Sequence, residues 1–162
     1  MARSEYDLAI VGAGAAGLIA ARFAAQLGAR VLLAERDRIG GDCTWTGCVP
    51  SKSLIRVAKA AHEIRSAQRF GLAGGPCTVD MPAVREYVHR KVQQIYEPTS
   101  PEALAREGID VALGPASFES DRTLRIAERS AVARRYLVCT GATPATPSIP
   151  GLDRTRHFTY HN

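Results

Sequence analysis

The feature that most constrains this chain is a glycine-spaced turn, Gly12-Ala13-Gly14-Ala15-Ala16-Gly17, set directly after the run Tyr6-Asp7-Leu8-Ala9-Ile10-Val11. A short, mostly apolar run of this kind reads as a strand buried in a parallel sheet. Leu18 to Leu27 follows as an alanine-rich helix that stops at Gly28, a residue suited to a left-handed cap. Arg30-Val31-Leu32-Leu33-Ala34-Glu35 is a second apolar strand, closed by an acid. Strand, glycine turn, helix and strand fit into about 30 residues, the size of a βαβ unit. Each glycine then has a task. Gly12 permits the tight turn, Gly14 lets the backbone approach a pyrophosphate, and Gly17 lets helix and strand pack closely. Amides at the helix start, together with the helix dipole, hold the phosphates. Glu35 can accept hydrogen bonds from both hydroxyls of an adenosine ribose, and its charge disfavours a 2′-phosphate.

The length of 162 residues suits one ordinary domain. With 46% hydrophobic and 23% charged residues the chain is globular rather than disordered. No apolar run approaches the ~18 residues of a membrane span. Basic residues outnumber acidic ones, 21 against 16, for a net charge of +5. Arginine exceeds lysine 18 to 3, and Arg134-Arg135 is the one arginine pair. Scattered charge of this kind predicts a solvated surface rather than a nucleic-acid face. Four cysteines, at 43, 48, 77 and 139, are too sparse for a secreted disulfide scaffold. Strand-like sequence starts by Tyr6, which leaves no room for a signal or transit peptide. A cytoplasmic protein is expected.

After Cys48 the pattern turns helical. Pro50 suits a first turn, Leu54, Val57, Ala58, Ala61 and Ile64 recur at helical spacing, and Gly71 is a plausible stop. Asp80 reads as an N-cap with Pro82 behind it, and Val84, Val88, Val92 and Ile95 form an apolar stripe. Ser100-Pro101-Glu102 opens another helix that runs to Gly108. Short strands are expected at Ile109 to Leu113, Ala116 to Phe118, Thr123 to Ile126 and Ala131 to Arg134. A last apolar strand, Tyr136 to Cys139, reaches Thr140-Gly141. The tail from Ala142 to Asn162 shows no periodicity and reads as a linker.

Gly40-Gly41-Asp42-Cys43-Thr44-Trp45-Thr46-Gly47-Cys48-Val49-Pro50-Ser51-Lys52 is the most informative stretch. A zinc site wants four ligands, and Cys77 and Cys139 form no second pair, so no metal site is expected. A cysteine can also be a buried small hydrophobe. The placement favours chemistry instead. Cys48 precedes Pro50 at a helix start, where the dipole stabilises a thiolate, and Lys52 adds a cation one turn later. A thiolate beside a partner cysteine is what disulfide exchange requires.

Gly12 to Gly17, Glu35, Gly40-Gly41, the C-x4-C segment through Pro50-Ser51-Lys52, Val111-x-x-Gly114-x-Ala116-x-Phe118 and Thr140-Gly141-Ala142 occur in the order found in one family. Together they resemble the class I pyridine nucleotide–disulfide oxidoreductases, which include dihydrolipoamide dehydrogenase, glutathione reductase and mercuric reductase. The resemblance implies an α/β Rossmann-like FAD-binding fold, a parallel sheet with helices on one face and a small antiparallel meander on the other. FAD would contact Gly12, Gly14, Gly17, Glu35, Gly41, Asp42, Lys52, Ala116, Thr140 and Gly141. Cys43 would be the interchange thiol and Cys48 the thiol against the flavin, the two forming a redox disulfide. Electrons would pass from NAD(P)H through FAD to this pair and on to a small-molecule disulfide, dithiol or metal-ion acceptor. The full-length parent would be a homodimer.

Two departures stand out. The family usually carries threonine where this chain has Asp42, and a carboxylate there should disfavour the Cys43 thiolate unless it bonds backbone amides of the turn. Thr44-Trp45 replaces the usual leucine-asparagine, a variant similar to a mercuric-reductase-like branch. Family members also carry an NAD(P)H domain, a returning segment that completes the FAD sheet, and a dimerisation domain with a His-Glu acid–base pair. None is visible here, and His62, His89, His157 and His161 read as surface histidines. The expectation is therefore an incomplete N-terminal fragment, with residues 1–150 as FAD-binding domain and 151–162 as a linker toward an NAD(P)-binding domain. Alone it would be inactive. The alternative is a non-enzymatic FAD- or nucleotide-binding module.

Overall fold

The computed structural model describes residues 5–161; residues 1–4 and Asn162, included in the division above, lie outside them. The sheet has six strands in the order β3-β2-β1-β6-β5-β4. Its strands are β1 (Tyr6–Val11), β2 (Val31–Glu35), β3 (Ile109–Leu113), β4 (Ala116–Phe118), β5 (Thr123–Ile126) and β6 (Arg129–Val138). The helices are α1 (Ala15–Gln26), α2 (Gly41–Trp45), α3 (Cys48–Ser66), α4 (Met81–Tyr96) and α5 (Pro101–Arg106). β1 is central, parallel to β2 through Ile10↔Leu33 and to β6 through Ile10↔Leu137. β3 extends the parallel set beyond β2, and β4, β5 and β6 form an antiparallel meander.

Alternation along the strands divides the core in two, because successive side chains point to opposite faces. Ile10, Val31, Leu33 and Ile109 meet Leu18 and Ala21 of α1 and Leu104 of α5. Ala9, Leu32, Ala34 and Ala112 meet Leu124, Ile126, Ala131 and Ala133 of the meander. Small residues on this second face let the meander lie close. The result is the parallel sheet with helices on one face and a meander on the other that the sequence implied.

Two details differ from the sequence reading. β6 is one continuous strand, not two pieces. The exposed pair Arg134-Arg135 breaks its apolar pattern, but its backbone continues without a break. The first part of β6 pairs with β5 through Thr123↔Val132, and its later part pairs with β1 up to Val11↔Val138. The second difference is α2, a five-residue helix inside the cysteine segment. Both predicted caps are present. Asp80 accepts from the Ala83 amide at 3.0 Å and Ser100 from the Ala103 amide at 3.2 Å.

The apolar stripe of α4 packs on α3 only in part. Val92 is buried, whereas Leu54 and Met81 remain 47% and 60% exposed. A cavity of about 410 Å³ opens between the two helices, lined by Leu54, Met81, Pro82, Val84, Arg85 and Val88. Among the described residues no helix is long and apolar enough to cross a membrane.

Candidate functional site

The C-terminal ends of β1, β2 and β6 converge on the glycine turn, the position where ligands bind in open α/β sheets. Gly12 takes φ +101°, and a Cβ there would lie 2.4 Å from the Cys139 carbonyl oxygen, so turn and β6 end are in backbone contact. A Cβ on Gly17 would lie 1.8 Å from the Gly12 carbonyl oxygen, the close helix–strand approach expected of that position. Gly14 is different. A Cβ there would meet only the Gly41 Cα, at 4.0 Å. The protein's own packing leaves that face of the turn open. Gly14 is also the N-cap of α1, with no side-chain cap and no acid in the first turn, so the helix start offers amides to an anion. This open cradle fits a pyrophosphate.

Glu35 ties the turn together. Its carboxylate accepts the Ala13 amide at 2.7 Å and the Asp37 amide at 2.9 Å. Each oxygen keeps further acceptor capacity for hydroxyl donors. The Gly114 amide donates to the Glu35 carbonyl at 2.7 Å, which tethers the loop before Ala116 to the end of β2. Thr140 and Gly141 directly follow the β6 end that packs on Gly12.

The cysteine segment lies against this cradle. Gly40 donates to the Ala13 carbonyl at 2.8 Å, and a Cβ on Gly41 (φ +56°) would lie 2.9 Å from the Gly14 Cα. Only bare backbone allows α2 to start this near α1. α2 closes through the Thr46 and Gly47 amides, which both donate to the Asp42 carbonyl at 3.0 and 2.5 Å. Cys48 is then the first residue of α3, whose N-terminus also lacks a side-chain cap. Cys43 and Cys48 are both free thiols, the first half-buried and the second exposed. The neighbouring Cys48 thiol pushes the Cys43 pKa above its ordinary value, and burial adds to the rise. Lys52 pulls the other way.

The matching pattern extends across the chain. The family model described as pyridine nucleotide-disulphide oxidoreductase matches residues 6–162. This chain belongs to that family. It is 32% identical to a mercuric reductase of Staphylococcus aureus over 96% of its own length and 28% of that protein. It is 38% identical to a mercuric reductase of Shigella flexneri over 94% of its length and 28% of the relative's. To a glutathione reductase of Nostoc sp. it is 29% identical, over 92% of this chain and 32% of that one. The chain thus spans about a third or less of these relatives.

The tertiary partners of three residues here, Asp42, His161 and Trp45, carried no sequence signal. Asp42 does not turn toward the amides of its own turn. Its carboxylate meets Nε2 of His161 at 3.1 Å; the Tyr160 hydroxyl donates to the Ala142 carbonyl at 3.4 Å, and its pKa rises through desolvation and through the Asp42 charge. The rise at Cys43 accordingly comes from Cys48, not from Asp42. His161, read as an ordinary surface histidine, folds back with the tail onto α2. Trp45 is the third. Its ring packs on Tyr96, the last residue of α4. Long-range contacts of this kind leave no spacing pattern in a sequence.

Proposed function

We propose that this chain is the FAD-binding, thiol-bearing segment of an NAD(P)H-dependent reductase of disulfide or metal-ion acceptors. The observation that carries the reading is the placement of the cysteine segment, with Cys43 on α2 and Cys48 opening α3, against the open Gly14 turn through Gly41. In this reading Gly12, Gly14 and Gly17 shape the pyrophosphate cradle and Glu35 takes the ribose hydroxyls. Gly41, Asp42, Lys52, Ala116, Thr140 and Gly141 line the remainder of the site. Bound FAD supplies two-electron transfer from NAD(P)H to the cysteine pair. Cys43 is the exchange thiol. Its thiolate attacks an acceptor disulfide, forming a mixed disulfide and releasing one thiol. Cys48 then attacks Cys43 and releases the second thiol, so the pair loses two electrons and two protons as the acceptor gains them.

Residues 1–150 form the FAD-binding segment, and 151–162 lead toward an NAD(P)-binding domain of a homodimeric, cytoplasmic parent. That the chain matches 28% of the Staphylococcus aureus protein supports a longer parent. The chain alone then lacks NAD(P)H-driven turnover. Flavin content of the purified parent tests the cradle: Gly14→Val should lower it sharply, because a side chain fills the open face, and unchanged occupancy would overturn the assignment. Alkylation and mass mapping before and after mild reduction test the pair. A bridge that includes Cys77 or Cys139 would sink it.

A further inference from the structure

α2 carries the exchange thiol but has only five residues, Gly41 to Trp45. A helix so short is not held by its own hydrogen bonds, so its place depends on side chains that anchor it elsewhere. Trp45 supplies the most varied anchoring. Its indole Nε1–H donates to the Ile39 carbonyl at 2.8 Å. Its ring packs on Tyr96 with centroids 5.2 Å apart and planes inclined by 53°. The Arg38 guanidinium lies over the ring, 4.7 Å from its centroid. Ile39 is itself buried in the core cluster beneath α1. One side chain thus ties α2 to the loop after β2 and to the end of α4.

Trp45 stands two residues from Cys43, and side chains at that spacing do not face each other on a helix. Any influence on the thiol therefore passes through the backbone of α2. We propose that Trp45 is a positioning residue for Cys43, and that its clamp sets the thiol–disulfide equilibrium of the Cys43–Cys48 pair. The proposal rests on the redox reading above. The Gly47 amide bond to the Asp42 carbonyl brings the backbone before Cys48 against that of Cys43, and the free energy of closing the bridge depends on the effective concentration of one thiol about the other. With α2 fixed, that concentration is high. With α2 loosened, Cys43 samples more positions and the dithiol gains.

The purified chain, equilibrated in graded mixtures of reduced and oxidised glutathione, tests this. The two thiols lose two electrons and two protons to form one S–S bond, while one oxidised glutathione becomes two reduced molecules. Acid quenching, alkylation and mass spectrometry give the dithiol fraction. Trp45→Asn, the residue usual in the family, removes the ring and should shift the equilibrium toward dithiol by about ten-fold, ~30 mV for a two-electron couple. Trp45→Phe keeps much of the packing but loses the N–H bond and should shift it by about two- to three-fold. Ile126→Val, in the distant meander, lowers the unfolding temperature and should leave the equilibrium unmoved. If Trp45→Asn does not fold, Trp45→Phe decides. Folded variants within two-fold of the unmodified chain, or an equal shift in Ile126→Val, would overturn the proposal. A chain that forms no Cys43–Cys48 bridge even in oxidised glutathione would instead remove the redox reading beneath it.

Discussion

Around the glycine turn, backbone rests on backbone. Added side chains at Gly12 and Gly17 would strike carbonyl oxygens at 2.4 and 1.8 Å, and Ile10, Ala13 and Leu33 beside them have no exposed surface. Between α3 and α4 the contacts are looser, and leucine and methionine side chains border an open cavity of about 410 Å³. Both regions use apolar residues at regular spacing, yet only the first is finished by its own chain. Spacing alone does not distinguish them. The difference lies in what each face meets: α1 lies against a sheet, whereas α3 and α4 meet chiefly each other. A phosphate cradle requires fixed amides, and the sheet supplies that rigidity. The helix pair has no comparable demand placed on it by the cradle.

Mutations should separate the two regions by size of effect. Gly17→Ala would drive a methyl into the Gly12 carbonyl, and a loss of about 4 kcal/mol or more in urea unfolding is expected. A loss below about 1 kcal/mol would break the contrast, because the turn would then be able to yield. Leu104→Ala, at a fully buried core position, should cost about 3 kcal/mol. Leu54→Ala on the open groove should cost well under 1 kcal/mol, since little contact is lost there. Equal losses in these two variants would show that the groove is closed in solution.

A comparably small effect concerns the far end of the sheet, where Tyr6, Asp110 and Arg129 join β1, β3 and β6. Arg129 pairs with Asp110 at 2.6 Å, and the Tyr6 hydroxyl donates to the same carboxylate. The Arg129 hydrogen bond holds the Asp110 carboxyl below the usual range. That contribution is present above the unfolded value of about 3.9 and fades as pH falls through the folded value. Tyr6 is pushed up to about 12 by burial and by its bond to Asp110. Its contribution is full below about 10 and is lost as pH rises through 12. Both side chains of the ion pair are roughly two-fifths exposed, so Asp110→Asn should cost only about 0.5–1 kcal/mol at neutral pH. Chemical unfolding at a series of pH values should show a shallower acid limb in that variant.

The sequence revealed the cradle because each part of it is local. β1, the glycines, α1 and Glu35 lie in one continuous stretch, and their spacing follows from the turn they must make. The meander was also readable strand by strand, although the Arg134-Arg135 interruption hid the continuity of β6. α2 was not readable, since five residues span too little of a helical repeat to display a period and no capping side chain opens them. The partners of Asp42 and Trp45 were hidden for another reason. His161 and Tyr96 reach them through the tertiary fold, and no local rule relates those positions.

The pairing of β1 with β6 carries a consequence for how the molecule is made. The turn at Gly12 emerges early in synthesis, but β6, whose end packs on that turn, emerges well over a hundred residues later. Until then the nascent βαβ unit exposes the side of β1 that β6 will occupy. Such long-range strand pairing is slow to form, and an open apolar edge is prone to association while it waits. A ribosome stalled before Tyr136 would therefore hold an intermediate with an unfinished glycine turn, one whose accessible strand invites a chaperone.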